Sequence, residues 1–228
     1  MFYIALCIVA LLAILVFSYR QTIDSYPNGG GSYIVAKDNL GDNFGLTAGA
    51  SLLIDYILTV AVSITAGTAA ITSAIPSLIP YSVLISVAIV VFMTIGNLRG
   101  MKESSRMFGF PTYLFIITMI SMIIFGLFKV YILGITPATV VQIPAGTESI
   151  TLLLLIKAFS SGCTALTGVE AVSNGIPNFR EPAQKNAKIT LILLATIVLF
   201  IFGGTSLLAT VYHAMPTKDV TVISQIAQ

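Results

Sequence analysis

The chain has 228 residues, 57% of them apolar and 9% charged, with a mean hydropathy of +0.99. Soluble domains carry about a quarter charged residues, so the composition excludes a soluble globular protein and indicates an integral membrane protein. The net charge of +2 is uninformative as a total, and Cys7 and Cys163, both in apolar stretches, suggest neither a disulfide framework nor a zinc site.

In chain order, six apolar segments are long enough to cross a bilayer: 1–19, 47–73, 81–98, 110–133, 150–173 and 188–212. Hydrocarbon forces backbone hydrogen bonds to be satisfied within each segment, so these are expected to be helices, giving an all-α polytopic protein built as a single transmembrane domain. No segment has the alternating pattern of a membrane barrel. Pro76 and Pro80 separate the second span from the third, and Pro111 suits the first turn of the fourth.

Eight of the eleven basic residues fall on odd-numbered loops: Arg20 and Lys37, then Arg99, Lys102 and Arg106, then Arg180, Lys185 and Lys188. The positive-inside rule makes those loops cytoplasmic and places both chain ends outside. Met1 opens directly on an apolar helix with no basic flank, and Ser18-Tyr19-Arg20 is a poor signal-peptide cleavage site. The expectation is a fragment of a larger membrane protein, with at least one helix preceding it.

Two spans are too polar for lipid. In the second, Tyr56, Thr59 and Ser63 fall on one helical face, bordered by Asp55. These hard oxygen ligands suit an alkali cation or a substrate ammonium group. The alternative is that the hydroxyls bond back to their own helix carbonyls while Tyr56 packs. In the fifth, Ser160, Thr164 and Thr167 share a face and Glu170 follows three residues on. Charged groups inside a bilayer are costly, which makes Asp55 and Glu170 candidates for cation or proton binding. Glycines and clustered hydroxyls fit a discontinuous, substrate-lining helix; a helix bending at Gly162 and Gly168 for close packing is the other reading. Lys157 either snorkels outward or pairs with a buried acid such as Asp55.

The run Tyr26-Pro27-Asn28-Gly29-Gly30-Gly31-Ser32-Tyr33 lacks the Gly-Lys-Ser/Thr ending and flanking strand of a phosphate-cradling loop. It reads instead as a tight turn with close backbone packing at the membrane surface. No His-Glu-x-x-His pair or Gly-x-Ser-x-Gly elbow suggests an enzyme, no filter-like Thr-Val-Gly-Tyr-Gly run suggests a channel, and His213 reads as an ordinary surface histidine.

Tyr26–Tyr33 through Leu40-Gly41 resembles the loop after the second helix of amino acid–polyamine–organocation (APC) permeases. Asp55-Tyr56-Ile57-Leu58-Thr59-Val60-Ala61-Val62-Ser63 is similar to the third helix of the KimA-type branch, which the family assigns to potassium uptake. Thr167-Gly168-Val169-Glu170-Ala171 resembles a run of the Kup-type potassium transporters. The resemblance implies a LeuT-like fold of two inverted five-helix repeats, this chain corresponding to helices two through seven of about twelve. The fifth span would be the broken sixth helix, and the broken first helix would have no counterpart here. The family's ion ligands carry over to Tyr56, Thr59, Ser63, Thr167 and Glu170, with Asp55, Ser160 and Thr164 as further candidates.

The expected function is secondary transport by alternating access, importing potassium with protons. Amino acid–cation symport is the alternative substrate class, and a truncated, non-transporting fragment is a further one. Expected partners are the bilayer, the transported cation or amino acid, the remainder of the transporter and a second copy of the chain. Nucleic acid, cofactors and any metal beyond the transported alkali cation are not expected.

Overall fold

The computed structural model describes residues 2–134, 151–212, 214 and 220–227. Ile150, the expected start of the fifth span, and His213 lie outside the described residues. Among the described residues every regular element is helical: α1 Phe2–Ser25, α2 Gly31–Leu40, α3 Asp42–Ala74, α4 Ser82–Leu98, α5 Met101–Tyr131, α6 Leu152–Cys163, α7 Val169–Asn174, α8 Ala183–Val211 and α9 Val222–Ala227. Five stretches within them are long and apolar enough to cross a membrane: Ile4–Ser25, Asp42–Ala74, Pro76–Leu98, Glu103–Tyr131 and Ala183–Val211. This is a multi-pass membrane protein.

The helices outrun the apolar segments that predict them. α1 continues past Tyr19 to Ser25, and α3 begins at Asp42 rather than Thr47. α5 begins at Met101, so Pro111 lies inside the helix and not in its first turn. Hydropathy marks where lipid contact ends, whereas a helix continues into the interface for as long as its backbone bonds remain intact. The first loop also contains α2, whose Tyr33-Ile34-Val35-Ala36 stretch is too short and too weakly apolar to read as a span. Pro76–Tyr81 forms a 3₁₀ turn between α3 and α4.

The fifth span is the discontinuous one. α6 ends at Cys163, Thr164–Leu166 forms a 3₁₀ turn, and Thr167 is extended at φ −63°, ψ 144°. Gly168 then turns left-handed at φ 93°, and α7 starts at Val169. The two glycines of this span do different things. A Cβ on Gly168 would meet nothing within 4 Å, so that glycine is needed for its φ; a Cβ on Gly162 would run into Ile8 Cδ1, so that one provides room for α1 against α6.

The chain packs as two compact units, Met1–Thr59 with Gly146–Phe202, and Val60–Ala145 with Gly203–Gln228. The first has a core of Ile8, Leu12 and Ile23 from α1, Leu166 and Val169 from the break, Ile176, and Ala187 and Leu191 from α8. Polar contacts secure the end of α1 to the start of α8. Lys188 Nζ lies 2.6 Å from Asp24 Oδ1, and Gln184 Nε2 donates to the Ile23 carbonyl, one of the four that an α-helix end leaves unpaired. The second unit closes around Ile123, Leu208, Tyr212 and Ile226, with Gly204 and Gly126 letting α5 and α8 approach closely.

Gly168→Ala should lower stability by about 1–2 kcal/mol, the cost of forcing a Cβ into the left-handed region. Gly162→Ala, which only has to turn the flexible end of Ile8, should give the smaller drop in melting temperature when both are measured in the same detergent.

Candidate functional site

The site grows out of the break between α6 and α7. A residue within a membrane cannot leave backbone groups to water, so an unwound stretch needs local partners. Thr167 provides one: its hydroxyl donates to the Thr164 carbonyl at 2.8 Å, parallel to the backbone bond from Thr167 N to the same oxygen at 3.3 Å. The break also changes the expected geometry. Ser160, Thr164 and Thr167 were grouped on one face of a continuous helix, but the extended Thr167 and left-handed Gly168 put Glu170 on a separate helix. Ser160 and Thr164 are exposed, and their hydroxyls make no hydrogen bond among the described residues.

Glu170 lies on the first turn of α7 and is half-buried. Its Oε1 accepts two hydrogen bonds from one residue of α2: the Ser32 hydroxyl at 2.5 Å and the Ser32 backbone N–H at 3.3 Å. Ser32 is the second residue of α2, so Glu170 takes the place of the capping side chain that Gly30 lacks. The carboxylate is held against the N-terminal end of that helix. The Tyr19 phenol lies 3.4 Å from Ser32 Oγ and within electrostatic reach of both Glu170 and Tyr56.

One turn further along α7, at i+4 from Glu170, Asn174 donates through Nδ2 to the Tyr56 hydroxyl at 2.5 Å. α7 therefore joins two of the predicted ligands, Glu170 directly and Tyr56 through Asn174. The close approach of α2 depends on the glycine run. Gly29, Gly30 and Gly31 all have positive φ (78°, 101° and 45°), and a Cβ on Gly31 would overlap Asn174 Oδ1. One on Gly29 would lie 2.8 Å from the Asn174 carbonyl oxygen. The expectation of a tight turn with close backbone packing describes this segment well.

Thr59 is half-buried and Ser63 exposed; neither hydroxyl takes the bond back to its own helix that Thr47, Ser51 and Thr65 take. Ser63 belongs to the second unit and Tyr56 and Thr59 to the first. Asp55 and Lys157 are both exposed and do not pair. The ion pairs among the described residues are Lys37–Asp42 and Lys188–Asp24.

Ser32, Asn174 and Tyr19 are the residues that sequence reasoning passed over. A serine after a glycine run and an asparagine four residues after Glu170 are the only traces the first two leave in the sequence, and neither marks a ligand support.

A family model described as "Amino acid permease" matches residues 1–228. The chain belongs to the amino acid permease family. Among curated proteins, the chain is 51% identical over 225 residues to "Potassium transporter KimA" of Bacillus subtilis (strain 168). The match covers 98% of this chain and 37% of that relative, so the chain spans well under half of its length. The discontinuous helix and the polytopic all-helical architecture implied by the resemblance to APC permeases are both present.

Gly31→Ala should cost about 1–3 kcal/mol, because the new methyl must push α2 off Asn174. Gly67→Ala, in the middle of α3 where a Cβ meets nothing within 4 Å, should leave the detergent melting temperature unchanged or slightly higher.

Proposed function

We propose that this chain forms part of a secondary transporter that imports potassium together with protons by alternating access. The observation that carries the reading is Glu170, a carboxylate on a broken membrane helix, which accepts from the Ser32 hydroxyl and N–H at the start of α2 and pairs with no cationic side chain among the described residues. A single negative charge among hydroxyl and phenol oxygens matches a monovalent hard cation in charge and ligand type. Glu170, Tyr56, Thr59 and Thr167 are its proposed ligands, all in the first unit. The 51% identity to a protein named as a potassium transporter supports the choice of cation.

The second substrate class is an amino acid carried with a cation, which the family's description favours. The two make opposite predictions for one variant. Glu170→Gln in the full-length protein should reduce potassium uptake roughly tenfold or more, the effect of about 1.4 kcal/mol of lost cation binding. Potassium uptake that survives this change while amino acid uptake disappears would overturn the potassium reading.

The transporter is proposed to lie in the cell membrane with its odd-numbered loops, including α2, in the cytoplasm. The charge asymmetry of Arg20, Lys37, Arg99, Lys102, Arg106, Arg180, Lys185 and Lys188 supports this orientation. A cysteine at Asp38 in a background lacking Cys7 and Cys163 should react with a membrane-impermeant maleimide in inside-out vesicles and not in intact cells. The reverse labelling pattern would invert the topology.

A further inference from the structure

We propose that Ser32 is a positioning residue for cation binding: it holds Glu170 with one carboxylate oxygen committed and the other presented to the ion. The inference rests on the reading of Glu170 as a cation ligand and adds to it a residue that does not itself touch the cation.

Glu170 has three rotatable side-chain bonds and lies on a six-residue helix that follows an unwound segment. A helix that short has almost no stability of its own, so neither the backbone nor the side chain is placed by α7 alone. Ser32 removes that freedom with two donors on one oxygen. The Ser32 hydroxyl donates to Glu170 Oε1 in the 2.5 Å contact, and the Tyr19 hydroxyl lies 3.4 Å from the same Ser32 oxygen. Ser32 Oγ therefore lies between the Tyr19 phenol and the Glu170 carboxylate. Oε2 of Glu170 takes neither of the Ser32 bonds.

The hydroxyl can reach because of where α2 starts. Gly30 caps the helix in the left-handed conformation, and Gly31, which is buried, lets the first turn lie against Asn174 and Glu170. Both Asn174 Oδ1 and Glu170 Oε1 lie within 3.4 Å of the point where a Gly31 Cβ would stand. A side chain at position 31 would therefore displace the carboxylate's support, and Ser32 is the residue that makes use of the space.

A serine that merely tied α2 to α7 would affect stability alone, so the test reads transport kinetics and coupling. Ser32→Ala in the full-length protein should raise the KM for potassium roughly tenfold, the scale of a lost hydrogen bond to a charged group, with Vmax within about twofold. Ser32→Thr, which keeps the hydroxyl, should restore KM to near the parent value. In potassium binding measured on purified protein, Ser32→Ala combined with Glu170→Gln should be no weaker than Glu170→Gln alone, because neighbours acting through one group are not additive.

An unchanged KM in Ser32→Ala, failure of Ser32→Thr to rescue, or fully additive losses in the double variant would each overturn the proposal. If Ser32→Ala does not accumulate, Ser32→Cys serves in its place and should give an intermediate KM, since a thiol is a weak donor; a parent-like KM would again overturn it. The cation-ligand reading fails separately, by intact potassium uptake in Glu170→Gln with Ser32 unaltered.

Discussion

A helix that breaks inside a membrane must find new partners for its backbone and its polar side chains, and that constraint organises the first unit of this protein. The break at Thr167–Gly168 interrupts the i→i−4 ladder. Thr167 closes the turn from its own side chain, and Ala171 N recovers a bond to the Gly168 carbonyl at 3.2 Å. Glu170, left on a short and weak helix, is secured from α2. Each compensation places an oxygen at the same break, so the repair of the backbone and the assembly of a polar site are a single arrangement.

How much of this could be read from residues alone depends on the cost of each residue where it stands. Glu170 and Thr167 were legible because a carboxylate and a hydroxyl interrupt a run that lipid would fill with leucine. Gly168 was legible as a break but not distinguishable from Gly162, because a glycine used for its φ and one used for its lack of volume look identical in sequence. Ser32 and Asn174 were invisible as ligand supports: each occupies a polar, turn-like stretch where such residues cost nothing, and Ser32 lies 138 positions from its partner.

Periodicity puts Tyr56, Thr59 and Ser63 on one face of a continuous helix, and α3 runs unbroken through all three. It could not indicate that the face is anchored at Tyr56 by Asn174. Asp55 shows the limit of cost arguments in the other direction. The expense applies to a carboxylate facing hydrocarbon or pressed into the protein, and Asp55 is exposed.

The same short helix carries a further burden. Ser173 Oγ and Asn174 Oδ1 are buried with no hydrogen-bond partner among the described residues, and Ser173 is fully inaccessible. Each such group costs about 1–3 kcal/mol, more than six helical residues can return by themselves. Hydrophobic contacts of Val169 and Ile176 with the α1 and α8 core offset part of that, and the Ser32–Glu170 and Asn174–Tyr56 bonds offset more. α7 is therefore held in place by its neighbours on α1, α2 and α3. In α7, the groups that hold the helix are also the groups proposed to bind the ion, so anything that competes for Glu170 acts on the packing of the helix as well.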